Sequence, residues 1–380
     1  MEHPPTFAFP DVAWAPARAL SAKQIGLMTL ALLGGLVVYN IFSYLAFAVQ
    51  GDSLSSVYSG YGFLSFSSSA FTGTISKLIF WLGAGLALYV VMLGLFAVAA
   101  INIEAVRGNR FFSAREAYRF TLSRAGQLAR AEIAILLFVL FIVLLFFLLG
   151  LLVRIPFVGE WFFTLFFVIP NFVVALFTVF IIFVVILSIL LLPAVAAAER
   201  RGETFAVILE TFSTIIRLPL RWGLYTGFTL VAAKLCSFVY AYFCYRAVQF
   251  MTAATALGGG EKVPNLMKSA LAILPVRSDF VYHITNIFPG IRFGFDIPAG
   301  SVWVEETVAS HVMAAMLVIV FASVLGYALA ILAAGQARAY VALKYIKDGY
   351  KVTDEESLFA AAAQPVSEPP EEVGQEQGPS

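Results

Sequence analysis

The stretch IAILLFVLFIVLLFFLLGLLV, residues 133–153, decides the fold because it holds no charged side chain and no run of polar ones. A transmembrane α-helix needs roughly 20 consecutive apolar residues to cross the hydrocarbon core of a bilayer. Five more apolar runs have no charged residue or nearly none, so the chain is expected to cross the membrane six times, at about 25–49, 78–101, 133–153, 172–192, 222–250 and 312–334. The sequence predicts an all-α, polytopic membrane protein.

Composition supports this prediction. With 61% hydrophobic and 12% charged residues, the 380-residue chain has too little polar surface for a soluble domain. We expect one membrane domain over 25–352, an N-terminal segment over 1–24 and a tail over 353–380 that is too polar to bury a core and is therefore disordered. The near balance of 24 basic and 23 acidic residues argues against a nucleic-acid partner.

The basic residues collect in every second gap between the runs. Of the 24 Lys and Arg residues, 16 lie in the N-terminal segment, the second gap, the fourth gap and the tail, and only 6 lie in the other gaps. Cytoplasmic loops of membrane proteins carry such an excess of Lys and Arg. The pattern predicts a multi-pass protein of the cell membrane with both termini in the cytoplasm.

The fourth run is too long for one simple span and contains Pro170 next to Asn171. Proline in a helix interior removes a hydrogen bond and clashes with the preceding turn. We therefore expect a short helix over 161–169, at the outer surface or dipping into it, followed by the true span at about 172–192.

Two amphipathic helices are predicted on the cytoplasmic side. The first follows an S-x-x-E capping box at Ser113 and Glu116, has an apolar face that includes Tyr118 and Leu122, and turns Arg115, Arg119 and Arg130 away from that face. Such a helix can lie in the headgroup layer with its arginines toward anionic lipid. The alternative is that it only caps the bundle and its arginines only set the topology.

The second amphipathic helix is expected over 204–217, after Glu199, Arg200, Arg201 and Gly202. The strings Phe120-Thr-Leu-Ser-Arg and Glu210-Thr-Phe-Ser-Thr are alike and each occurs between two spans. This suggests two related halves, although a chance match explains it equally well. Internal symmetry is common in transporters.

Two stretches carry a resemblance to a known family. One runs from Leu192-Pro193 through Glu199, Phe205 and Ser213, and the other is Tyr340-x-x-x-Lys344-Tyr345-x-Lys347-Asp348-Gly349-Tyr350. They resemble bacterial six-span proteins related to the membrane domain of glycerophosphoryl diester phosphodiesterases, over about a third of the chain. That domain is not the catalytic part of those enzymes, so the resemblance implies no enzyme activity.

The last run repeats small residues every four positions, at Ala322, Gly326, Ala330 and Ala334. Such a stripe lets another helix backbone approach closely. The partner is expected to be another span of the same chain, and a second subunit is the alternative.

Lys234 is the strongest candidate site residue, since it lies near the middle of the fifth run, where an ammonium group is costly. It needs a partner, and the candidates are the amides of Asn40 or Asn171, backbone carbonyls, water in a cavity, or the anionic headgroup of a lipid or solute. In the alternative interpretation the helix begins above the membrane surface and the lysine snorkels.

Nothing in the sequence predicts catalysis or a cofactor. The outer loop over 251–306 has acidic residues and His283, but their spacing matches no metal-ligand pattern. No nucleotide-binding, serine-hydrolase or zinc-protease motif occurs.

We expect a non-enzymatic membrane component that interacts with lipid or organises an assembly. Its predicted partners are membrane lipids and a protein partner or a second copy of itself. The alternative is a transporter for an amphipathic or anionic solute, and a lipid-modifying membrane enzyme ranks third.

Overall fold

The computed structural model describes residues 5–61, 70–199, 202–274 and 307–354. These ranges are helical nearly throughout and contain no strand, as the sequence predicts. Their α-helices are α1 Phe9–Ala13, α2 Ala15–Ala19, α3 Ala22–Gln50, α4 Leu54–Tyr61, α5 Thr74–Val106, α6 Ala114–Val153, α7 Val158–Phe162, α8 Val168–Ala198, α9 Thr204–Arg217, α10 Pro219–Gly259, α11 Lys262–Ile273 and α12 Val308–Asp348.

Six of these helices, α3, α5, α6, α8, α10 and α12, are long and apolar enough to cross a membrane. They alternate in direction, so α3, α6 and α10 begin at the end of the bundle where α5, α8 and α12 finish. We call this the basic end, because Arg107, Arg124 and Lys347 lie there. The opposite end, where α4 and α7 lie, is called the far end.

The core is concentrated toward the basic end. Buried residues run without interruption over 94–104 of α5, 191–198 of α8 and 330–343 of α12. A helix buried on all sides must be surrounded by other helices, so these three segments form the centre of the bundle. We call them together the packed end.

The small-residue stripe of α12 packs inside this chain. Ala322, Gly326, Ala330 and Ala334 are all buried. A Cβ at Gly326 would meet the Oγ1 atom of Thr29 at 2.7 Å. The close approach that the stripe predicts is therefore made, in part, by α3.

The structure corrects the prediction of a separate amphipathic helix before the third span. Ser113 caps α6 as expected, with its Oγ accepting from the Glu116 N–H at 3.2 Å. The helix then continues for 40 residues, about 60 Å, without a break before the third run. The junction contains Ala129, Arg130, Ala131 and Glu132, which are strong helix formers and leave the helix no place to end.

The fourth run also differs from expectation. The irregular part is a π-helical turn at Phe163–Phe167, and α8 begins directly after it at Val168. The backbone is helical without a break from Val158 to Ala198, and Pro170 lies three residues after the π-helical turn. That turn interrupts the regular α-helical hydrogen bonds next to a residue that has no N–H to donate.

The N-terminal segment packs against the bundle. Phe7 stacks on Tyr345 with ring centroids 4.8 Å apart, and Phe9 meets Phe228 at 5.0 Å. Val12 is fully buried. Residues 275–306 of the expected outer loop and 355–380 of the expected tail lie outside the described ranges.

Candidate functional site

A buried ion pair joins two helix ends at the basic end. The Arg107 guanidinium lies 2.9 Å from the Glu104 carboxylate, and both side chains are almost completely buried. Arg107 also donates to the carbonyl of Ala198, the last residue of α8, at 2.9 Å. A charge removed from water is costly unless it is paired and hydrogen-bonded, and this arginine meets both conditions. Arg107 therefore connects the C-terminal ends of α5 and α8.

Arg124 of α6 reaches the same helix end. Its guanidinium donates to the carbonyl of Glu199 and lies 4.8 Å from the ring centroid of Phe120. The last carbonyls of a helix lack intrahelical donors and carry a partial negative charge. Two arginines from two helices thus stabilise the C-terminus of α8.

A third polar contact ties α9 to α12. The Glu210 carboxylate accepts from Lys347 Nζ at 2.8 Å and from the Tyr340 hydroxyl at 3.3 Å. Lys347 also lies 3.4 Å from the hydroxyl of Thr214. These charged groups at the basic end therefore connect neighbouring helices.

Glu104, Arg107 and Arg338 lie beyond the predicted spans, yet all three are buried, Glu104 within α5, Arg338 within α12 and Arg107 directly after α5. The apolar runs end before each of them, so hydropathy alone gave no signal that the helices continue. Gln127 and Gln336 were also missed, and both are buried.

Lys234 lies on an exposed face of α10. Its neighbours on that face, Val231 and Leu235, are 58% and 61% exposed. The helix has 41 residues and is about 60 Å long, twice the thickness of a bilayer core, so it extends beyond the membrane. Because Lys234 and these neighbours are exposed, the lysine faces away from the bundle.

The two asparagines proposed as partners of Lys234 lie on other helices. Asn40 of α3 donates to the carbonyl of Leu36 at 2.7 Å. Asn171 of α8 has a buried Oδ1 atom without a hydrogen-bond partner in the described part of the chain, as does Asn40. No hydrogen bond between described residues joins Lys234 to either amide.

The three arginines proposed for lipid contact are exposed along α6. Arg115 and Arg119 lie on its first turns, and Arg130 donates from Nε to the Thr204 hydroxyl at 3.4 Å. Tyr118 and Leu122 of the predicted apolar face are 55% and 49% exposed. Arginines and apolar side chains therefore share one open surface.

The far halves of α6 and α8 form an exposed hairpin. Where the structure describes burial over residues 136–183, only Gly159 and Thr178 are buried. We call residues 136–183 the apolar arm, since their exposed side chains are almost all Leu, Ile, Val and Phe. A surface of this kind is compatible with a lipid environment and not with water.

The apolar arm contains a cavity of about 720 Å³ between α6 and α8. Its walls are leucine, isoleucine, valine and phenylalanine side chains together with Pro170, and Asn171 supplies the one polar side chain in the lining. The lining residues are Ile142, Leu145, Phe146, Leu148, Leu149, Leu151, Leu152, Phe167, Pro170, Asn171 and Val174. The shape and chemistry suit a hydrocarbon chain with one weakly polar group.

The described residues contain no cluster of His, Cys, Asp or Glu that would hold a metal ion. Comparison of the chain with protein-family models, with curated proteins and with solved structures found no match. The resemblance to the phosphodiesterase membrane domain therefore stays a prediction.

Proposed function

We propose that this integral membrane protein is non-enzymatic and binds membrane lipid, and that it organises the surrounding bilayer or an assembly within it. The observation that carries the proposal is the cavity of the apolar arm. Its lining is hydrocarbon except for Asn171. An acyl chain can fill such a cavity, and the amide can donate to an ester carbonyl of the same lipid.

The orientation follows from charge. The basic end is the cytoplasmic end, since Lys and Arg are enriched in cytoplasmic loops. Both termini then lie in the cytoplasm of a cell, and the cavity of the apolar arm lies toward the outer leaflet.

The amphipathic character of the first turns of α6 supports lipid contact at the inner leaflet. Arg115 and Arg119 are exposed beside Tyr118 and Leu122. Phe111, just before the helix, is 97% exposed. Aromatic and apolar side chains interleaved with arginine are typical of segments at an anionic membrane surface.

The buried charges favour a structural role. Arg107, with Glu104, and Arg124 are engaged with the last carbonyls of α8. Such groups fix the positions of helices. The transporter alternative depended on a polar cavity around Lys234, and that lysine faces outward among apolar side chains.

The proposal is tested by filling the cavity with a larger side chain. Leu148→Trp places an indole into the lining, whereas Leu144→Trp, one turn earlier on α6, changes a residue outside the lining that is equally exposed, 48% against 49%. Native mass spectrometry of the protein extracted in mild detergent counts the phospholipids that each variant retains.

We expect the wild type and Leu144→Trp to retain phospholipid, and Leu148→Trp to lose at least one bound molecule. Equal lipid counts in all three proteins would overturn the proposal. A stable dimer that dissociates only in Leu148→Trp would assign the cavity to a second copy of the chain.

A further inference from the structure

Helices α6 and α9 are in contact at the basic end. Arg130 Nε lies 3.4 Å from the hydroxyl of Thr204, the first residue of α9. One turn earlier on α6, Gln127 approaches the chain just before α9. Its Oε1 atom lies 3.8 Å from where a Cβ on Gly202 would be.

Gln127 is 4% exposed, yet its Nε2 and Oε1 atoms both lack a hydrogen-bond partner among the described residues. Leaving a buried polar atom unpaired destabilises the folded protein. Buried polar groups in folded proteins are nearly always paired, and an exception requires an explanation. A ligand with acceptor oxygens between α6 and the start of α9 would supply the missing partner of Nε2.

The first turn of α9 is suited to an anion. The helix has 14 residues, and within the described chain no side chain caps its N-terminus. The free N–H groups and the helix dipole make such a terminus favourable for phosphate or carboxylate. Gln127 thus approaches the one end of α9 that attracts negative charge.

The charge of the surrounding sequence agrees. Two arginines of α6 lie near this region, since Arg130 Nε donates to the Thr204 hydroxyl and Arg124 donates to the carbonyl of Glu199. Glu203, the N-cap residue, is exposed to solvent.

We infer that this site binds a phosphate group. The Arg130 guanidinium and the first N–H groups of α9 hold the phosphate oxygens, and the Gln127 amide donates from Nε2. The inference deepens the proposed lipid binding and rests on it, since a phospholipid headgroup of the inner leaflet is the favoured source. Free inorganic phosphate has the same chemistry, and the experiment separates the two sources.

The test measures the thermal unfolding of the full-length protein in nanodiscs. The discs contain phosphatidylcholine alone, phosphatidylcholine with increasing phosphatidylglycerol, or phosphatidylcholine with inorganic phosphate in the buffer. A ligand that binds only the folded protein raises Tm. The lipid is the source if phosphatidylglycerol raises Tm at lower concentration than phosphate, and free phosphate is the source if the order is reversed.

Arg130→Gln and Gln127→Leu test the site, and Arg217→Gln is the matched control, because it removes an exposed arginine from the opposite end of α9. Losing one charge-assisted hydrogen bond corresponds to about a tenfold weaker half-saturation in Arg130→Gln. We expect a smaller weakening in Gln127→Leu, together with a higher Tm in phosphatidylcholine alone, since the unpaired amide is gone. Arg130→Lys keeps the charge and should retain most of the effect.

Equal responses of Arg130→Gln and Arg217→Gln would overturn the inference, because the anion would then act on surface charge in general. The same holds if neither anion raises Tm in the wild type. Lipid retention in the apolar arm is measured separately with Leu148→Trp. The phosphate site can therefore fail while the proposed function stands.

Discussion

The packed end and the apolar arm are built from the same kinds of residue and have opposite environments. In the packed end, Leu192 of α8 is fully buried, whereas in the apolar arm Leu176 of the same helix is 62% exposed. One helix therefore belongs to the core over one half and faces the surroundings over the other. Hydropathy does not distinguish the halves, and the difference lies in which neighbours each half meets.

The difference also concerns polar groups. At the packed end, the buried Glu104 carboxylate is paired with Arg107, which also donates to the carbonyl of Ala198. The apolar arm has almost no polar side chain, and Asn171 leaves one oxygen unpaired. The side chains of the packed end are thus held by defined contacts within the chain. The apolar arm instead exposes apolar surface that requires an apolar partner.

The largest expected effect comes from breaking the buried ion pair. Glu104→Gln leaves the Arg107 charge without its carboxylate, and such a loss costs about 3–5 kcal/mol. Glu160→Gln removes an exposed carboxylate beside the apolar arm and should change stability by less than about 0.5 kcal/mol. Thermal unfolding in detergent measures both variants, and similar Tm values for the two would contradict the assignment.

The next largest loss of stability is expected from a substitution in α8, where two leucines have opposite environments. Leu192→Ala opens a cavity in the packed end and should destabilise the protein by about 2–5 kcal/mol. Leu176→Ala changes the exposed arm and should have a much smaller effect. If both variants lose the same stability, the arm is packed against something that the described chain does not supply.

Gly335 and Gly227 compare a tightly packed position with an open one. A Cβ at Gly335 would meet the Thr229 side chain at 2.2 Å, so Gly335→Ala should cost about 1–3 kcal/mol through overpacking. At Gly227 of α10 nothing lies within 4 Å, and Gly227→Ala should be neutral or stabilising. If Gly335→Ala does not lower the stability, α10 and α12 are further apart than in this structure.

The smallest effect is expected in the apolar arm. Asn171→Leu removes an unpaired amide oxygen from an apolar lining and should raise stability in lipid-free detergent by about 1 kcal/mol. It should also reduce phospholipid retention, since the amide is the one polar group in the cavity. The lipid count is measured on the mild-detergent extract and the stability on the same protein after delipidation, and a fall in both would argue for a structural role of Asn171.

The sequence predicted the parts of this fold that local chemistry controls. Six apolar runs, the capping box at Ser113 and the helix at Thr204–Arg217 all follow from composition, spacing and turn residues. It did not predict that α6 continues through its charged first turns into the third span, because helix formers at a junction allow either outcome. The burial of Glu104, Arg107 and Arg338 depends on neighbouring helices, which hydropathy along one chain does not report.

The candidate sites were predicted less well than the fold. Lys234 was singled out for its position in a run, but exposure depends on which face of α10 meets α12, and that is a tertiary property. Arg130 was named as a lipid contact, whereas its place beside Thr204 and near Gln127 requires α9 to fold back against α6. Asn171 was considered as a partner for a lysine and instead lines an apolar cavity.

Crosslinking with a phospholipid that carries a photoactivatable acyl chain tests the central claim most directly. The protein is placed in nanodiscs containing this lipid, illuminated, digested and mapped by mass spectrometry. We predict that crosslinks concentrate on residues 142–152 and 167–174, well above those on the exposed apolar face of α10 around Leu235. Equal labelling of the two surfaces, or labelling that avoids the cavity, would contradict the account.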